Sequence, residues 1–538
     1  MATTTTGKAK ESLRFLGALS GMSVALGKRT MSRLVMNALL LALTGCAVSG
    51  PNASIEAGAG PHEVIPAEDG KADNYISSNA REFELSGIAH AALPEDYADL
   101  SEDEQNAALD RAVQGRLNTV SRAIRAHVTS VVGESNGGET GDDVSWFTYF
   151  QKNAAETEGT EVVGTEARFT FRIGLVGSHY LMSQLAPGTA SRRTFSVTVQ
   201  DWSEPTGETV EVEIAGSESR DAFPKYDELF ADGIYDIGIH FGGDYNEGRF
   251  DLETAKWLVE YLLNERGFEN QAVSDFESLA IDSPPFTKTI FVESREVEVR
   301  VYVYHSDMVT ADEESKLSDA IRESFRARDV VIYSGHAGPG AGFILDYQPR
   351  HEIPARDFAT LEMRDSYQIF VLDGCQTYRS YVDDLMANPN KTFDNVDIVT
   401  TVNTTPFSVG YQTLHEFVTW LTITDDAGRH YPISWLSMLR GLNTEAFRSV
   451  HYGVHGIDGD PQLNPHASEG IACQPCTTDA DCGAGGNLCL GIGGEGRCGV
   501  GCTTDAACGE GARCARLTDI EDQFYIPKQC VPRDNLCG

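Results

Sequence analysis

The chain has 538 residues, 41% of them hydrophobic and 23% charged. These are ordinary proportions for a soluble globular protein, and the length allows two or three separate cores. The formal net charge of −38 is not ordinary. The acid is spread along the chain rather than gathered in one tail, which fits an extracellular surface and excludes nucleic acid as a partner, because phosphates would be repelled.

Residues 1–46 read as targeting sequence. Met31-Ser32-Arg33 is a short basic start, and Leu34 to Leu43 is an apolar run broken only by Asn37. That run falls short of the roughly 20 residues that span a bilayer but suits a signal-peptide core. It ends in Leu43-Thr44-Gly45-Cys46, which resembles the bacterial lipobox. Small residues before the cysteine leave the backbone open to a signal peptidase, and the thiol receives the diacylglycerol. The other reading is a conventional signal peptide followed by a chance cysteine. The lipobox implies a true start at Met31, lipidation at Cys46 and attachment to a bacterial envelope membrane. Ala47, rather than Asp, points onward to the outer membrane or cell surface. Residues 47–78, rich in Gly, Pro, Ala and acid, predict a flexible tether.

Residues 79–231 predict an α+β domain of unassigned role. A long helical pattern runs from Glu102 to Val131, and strands are expected at Arg168–Ile173, Thr194–Val199 and Thr209–Ile214. No catalytic constellation stands out there.

From residue 232 to 468 apolar strands alternate with amphipathic helices. Strands are expected at Tyr235–His240, Val297–Tyr304, Val330–Tyr333, Ile369–Leu372 and Val396–Val402. Helices are expected at Asp251–Arg266, after a capping box opening at Thr310, and near Tyr378–Met386. The alternation predicts an α/β fold, a mainly parallel sheet covered on both faces, with its active site at the carboxyl ends of the strands.

Residues 469–538 contain an internal repeat. Cys476-Thr477-Thr478-Asp479-Ala480-Asp481-Cys482-Gly483 recurs as Cys502-Thr503-Thr504-Asp505-Ala506-Ala507-Cys508-Gly509. Ten of the twelve cysteines lie between Cys473 and Cys537, an even number that can close five disulfides in an oxidising compartment. A zinc site at Cys473-x-x-Cys476 lacks a second close pair, and calcium at the Asp residues is a weak signal. With Cys46 assigned to lipid, Cys375 remains without an obvious partner, either an inert buried cysteine or a reactive thiol.

Two strand ends carry candidate chemistry, Tyr333-Ser334-Gly335-His336-Ala337-Gly338 and Val371-Leu372-Asp373-Gly374-Cys375-Gln376. If those strands are neighbours, an imidazole and a thiol meet, as a thiol nucleophile and its proton carrier must. Asp373 and Gln376 flank the nucleophile as substrate-pocket candidates. Asp244, past the first strand, is read either as a selector of basic side chains or as an exposed turn carboxylate. His305 with Asp307 is read as a loop pair, as facing the same cleft or as a metal site, and His455 as structural.

A histidine–glycine motif after one strand and a cysteine after the next, here 39 residues later, resembles clan CD cysteine peptidases, the group of caspases and gingipains. The run Gly459-Asp460-Pro461-Gln462-Leu463 is similar to the end of gingipain-type catalytic domains. The resemblance covers residues 232–468 and implies a caspase-like three-layer sandwich. It also implies an endopeptidase acting on protein or peptide substrates without cofactor or metal. By it His336 is the general base or acid and Cys375 the nucleophile, with the N–H groups of Cys375 and Gly338 as the oxyanion hole. Ala337 stands where the family usually has glycine. The competing expectation is an inactive surface-binding or adhesion lipoprotein on the same fold.

Overall fold

A computed structural model describes residues 75–135, 148–200, 207–217, 220–337, 341–347, 350–405, 407–443, 451–456, 460–517 and 527–537. The proposed leader, Cys46, the tether up to residue 74, Gly338 and Gly459 lie outside the described residues.

The first sheet is antiparallel, with strands β1 (Ala80–Ala92), β2 (Thr148–Val163), β3 (Glu166–Ser178), β4 (Arg192–Val199) and β5 (Glu208–Gly216) in the order β2-β3-β1-β5-β4. Helix α1 (Glu102–Ser135) lays Val113, Leu117, Val120, Ile124 and Val128 on it at helical spacing. Strand residues alternate buried and exposed, as one-sided cover requires.

The second sheet has seven strands and is mixed. It contains β6 (Ile234–Phe241), β7 (Phe286–Val292), β8 (Arg295–Tyr304), β9 (Val330–Ser334), β12 (Gln368–Asp373), β13 (Val396–Thr401) and β14 (Tyr452–His455). The order is β14-β13-β12-β9-β6-β8-β7. The five inner strands run parallel, and β14 and β7 close the two edges antiparallel. A hairpin, β10 (Phe343–Tyr347) with β11 (Arg350–Ile353), stands apart between β9 and β12.

Strands β9 and β12 are buried along their whole length because helices cover both faces. On one face Val330, Ile332, Ile369 and Val371 pack with α2 (Phe250–Asn264), α5 (Phe407–Leu421) and α6 (Trp435–Leu442). On the other, Val331, Tyr333, Phe370 and Leu372 pack with α3 (Ser315–Ala327) and α4 (Thr377–Met386). The expected helix opening at Thr310 begins instead with a 3-10 turn, Ala311–Glu313, and the Thr310 hydroxyl bonds the Glu313 side chain rather than the backbone.

The end of the expected tether is structured. Ile76 exchanges backbone hydrogen bonds of 3.0 and 2.9 Å with Val454, extending the sheet beyond β14. Tyr75, Ala80, Val176, Tyr378 and Val402 form a small apolar cluster, and the Tyr378 hydroxyl donates to Glu82. The first sheet is thus fastened to α4, the helix that follows Cys375.

The carboxy-terminal residues close five disulfides: Cys473–Cys537, Cys476–Cys489, Cys482–Cys498, Cys502–Cys514 and Cys508–Cys530. The middle four repeat one pattern, first cysteine to third and second to fourth, in each copy. With Cys473 and Cys476 in separate bonds, the zinc reading has no ligands. Asp479 accepts from the Cys489 N–H and Asp505 from the Cys514 N–H, so the repeated Asp fixes the third cysteine of each copy. Each copy ends in a hairpin, β15 (Cys489–Ile492) with β16 (Glu495–Cys498) and β17 (Ala512–Arg516) with β18 (Lys528–Pro532). The module rests on the body through Arg429, which donates to the carbonyls of Gly483 and Ala480, and through Thr503, which donates to the Asp221 carbonyl. Among the described residues no helix is long and apolar enough to cross a membrane.

Candidate active site at the ends of three parallel strands

Strands β6, β9 and β12 are neighbours, and Phe241, Ser334 and Asp373 stand level at their carboxyl ends. The pairing continues past the strands. Gly242 N–H donates to the Ser334 carbonyl at 2.9 Å, and Gly335 N–H to the Asp373 carbonyl at 3.0 Å. The three chains therefore leave the sheet side by side, and within three residues they carry Asp244, His336 and Cys375. A side chain on Gly374 would sit 2.7 Å from the Ala337 Cβ and the Gly335 carbonyl, so only glycine lets the cysteine turn lie against the histidine turn.

His336 is 6% exposed, and its Nε2 lies 3.1 Å from Asp244 Oδ1. A carboxylate only accepts, so Nε2 carries the proton and Nδ1 becomes the basic nitrogen. Tyr245 stacks on the imidazole at 4.7 Å, and Tyr347 meets it edge-on at 5.2 Å. Asp244 accepts also from Asn246 N–H at 3.0 Å and from Phe250 N–H at 3.2 Å, the latter at the start of α2. Burial pushes its carboxyl up, but hydrogen bonds from His336 and Asn246 outweigh that and hold it below the usual range.

This corrects the expectation for Asp244. Its side chain is 0% exposed, so it neither selects a substrate side chain nor sits on an open turn; it holds the histidine. Asp373 is likewise no pocket residue. It is buried, accepts from Ser334 and Tyr452 hydroxyls at 2.9 Å each, and burial raises its carboxyl to about 6, partly offset by those bonds. Gln376 is half-buried in the left-handed conformation, φ 55°, and donates its N–H to the Asn403 carbonyl at 3.0 Å. Gly338, the second oxyanion candidate, lies outside the described residues.

Cys375 requires the largest correction. It is 6% exposed, its Sγ is 3.7 Å from the Thr405 carbonyl, and it is disulfide-bonded, with its partner outside the described residues. The cysteine count leaves it single only if Cys46 is set aside for lipid. Twelve is an even number, and in an oxidising compartment every cysteine can pair.

His305 and Asp307 do not form a pair. Asp307 bonds Arg249 at 2.8 Å, whereas His305 stacks on Phe276 and is pushed down to about 4 by burial. His455 lies in β14 against Tyr75 and Tyr378.

Sequence reasoning did not find Thr401 and Thr405, whose hydroxyls both reach the Gly374 carbonyl. Their signal was positional: Thr401 ends β13, the next parallel strand beside β12, and Thr405 follows four residues later. No protein-family model, curated protein or solved structure matches the chain.

Proposed function

We propose that the protein is an extracytoplasmic cysteine endopeptidase of the caspase–gingipain type, here in an oxidised, latent form. The observation that carries this reading is the Asp244–His336 pair beside the Cys375 turn, on three adjacent parallel strand ends. A caspase-like three-layer sandwich fits the seven-stranded sheet with helices on both faces. The lipobox-like leader supports export to a bacterial envelope, with lipid on Cys46 and attachment to the membrane only in the form whose Cys375 is reduced.

A dithiol reductant opens the Cys375 disulfide, becoming a disulfide itself, and the released Cys375 thiol passes its proton to His336 Nδ1, leaving a thiolate–imidazolium pair. The sulfur then attacks the scissile carbonyl carbon, and the π electrons move to oxygen. Collapse breaks the C–N bond, and His336 delivers a proton from Nδ1 to the leaving amine. Water attacks the thioester, His336 takes its proton, and Cys375 leaves as thiolate. Asp244 holds the ring and stabilises the imidazolium that forms between these steps.

The disulfide and the low exposure of Cys375 favour the second reading, a surface-binding protein with an inert cysteine. The test incubates the full chain with a dithiol reductant and a mixed peptide library. Cleavage that appears on reduction and is absent in Cys375→Ala supports the peptidase. No cleavage by the reduced chain, or equal cleavage by Cys375→Ala, rejects it.

A further inference from the structure

Resting on that reading, we propose that Thr405, with Thr401, is a positioning residue that aims the Cys375 N–H at the oxyanion. The peptide between Gly374 and Cys375 is planar and trans, so its C=O and N–H point in opposite directions. Fixing one fixes the other. The Gly374 carbonyl accepts from the Thr401 hydroxyl and, at 2.9 Å, from the Thr405 hydroxyl. Thr401 is the last residue of β13 and Thr405 lies four residues beyond it, so both hydroxyls reach the carbonyl from the chain that leaves that strand.

The proton assignments leave little freedom. Thr377 Oγ1 donates to the Leu372 carbonyl at 2.8 Å and accepts from Thr401 N–H, also at 2.8 Å. Thr401 is thereby held, and its own hydroxyl proton goes to Gly374. Thr377 and Thr401 are fully buried, so water does not replace these bonds. Ala337 and the Gly335 carbonyl also pack close against Gly374. Thr405 is half-buried, and it spans the turn, with its hydroxyl on the Gly374 carbonyl and its own carbonyl near Cys375 Sγ.

A substrate oxygen gains its negative charge only on the way to the tetrahedral intermediate. A donor pre-aimed by this clamp therefore acts on kcat rather than on ground-state binding. Loss of the Thr405 hydroxyl leaves Gly374 with one holder and lets the peptide swing.

The experiment compares the reduced full chain with Thr405→Val and Thr405→Ser in three measurements. These are kcat and KM on a cleaved peptide, inhibition by a peptide aldehyde, and alkylation of Cys375 by iodoacetamide. The aldehyde adduct places an oxyanion-like oxygen in the site; alkylation at a saturated carbon does not. Thr405→Val is expected to lower kcat about 10- to 100-fold with KM nearly unchanged, and to weaken the aldehyde by a similar factor. Alkylation keeps its rate, and Thr405→Ser restores both losses. Unchanged kcat and aldehyde affinity in Thr405→Val overturn the proposal, as does a parallel fall in alkylation, which marks a general disturbance of the thiol. A reduced wild-type chain that neither cleaves peptides nor binds the aldehyde sinks the peptidase reading itself, and this inference with it.

Discussion

Ten cysteines crowd the last 66 residues, whereas residues 232–468 contain Cys375 alone. In the carboxy-terminal module four disulfides close local loops and Cys473–Cys537 ties its two ends together, and few apolar side chains, among them Ala484, Ile492 and Val500, are buried there. A segment so small cannot hold itself by burial, and cross-links do that work. The central sheet is the reverse. Its strands bury continuous runs of Val, Ile, Leu and Phe, and its fold needs no cross-link. A cysteine there is placed by the ends of strands that would form without it. The same residue type is scaffold in one region and candidate reagent in the other.

That contrast is easiest to break with paired substitutions. Cys375→Ala should lower peptide turnover by the reduced chain at least about 1,000-fold while shifting the urea midpoint of the central sheet little. Cys482→Ala should do the opposite. Loss of the Cys482–Cys498 bond is expected to destabilise the module by about 2–5 kcal/mol, seen as early proteolysis after residue 468, with turnover retained. A Cys482→Ala chain that loses turnover would show that the module supports the site.

Asp244→Asn sharpens the comparison within the site. An asparagine can present its N–H₂ to the imidazole and favour the other tautomer, so kcat should fall on the order of 100-fold with KM and folding largely kept. Equal kcat would mean that the Asp244–His336 bond only supports the turn.

The smallest expected effect concerns Asp373. Burial raises its carboxyl to about 6, so the folded chain keeps a proton that the unfolded chain, at about 3.9, has lost. Its contribution to stability is therefore full below the unfolded value and declines as pH rises through about 6. Asp373→Asn should flatten the fall in urea midpoint across that window, by on the order of 2 kcal/mol. An unchanged slope contradicts this account of the buried acid.

Much of the central fold was legible. Apolar strands alternating with helical periods located β6, β8, β9, β12 and β13 to within a few residues. The edge strands β7 and β14 escaped: β14 is four residues with a glycine, too short for a period to show. The candidate residues His336 and Cys375 stood out too, because each follows a strand end and a glycine. Their relations were less legible. Asp244 reads as an open turn until β6 is placed beside β9, a fact of strand order that local pattern does not carry. The hydroxyls on Gly374 were invisible for the same reason, since they arrive from β13. The parity of the cysteines was available and pointed to a bonded Cys375, but assigning Cys46 to lipid hid it.

The most direct test measures the rate at which Cys375 is alkylated in the reduced chain between pH 5 and 9, with wild type and His336→Asn compared. A thiol paired with the imidazole should react faster than free cysteine near pH 6–7, and the substitution should remove that advantage. Alkylation no faster than free cysteine, or indifferent to His336, would contradict the account.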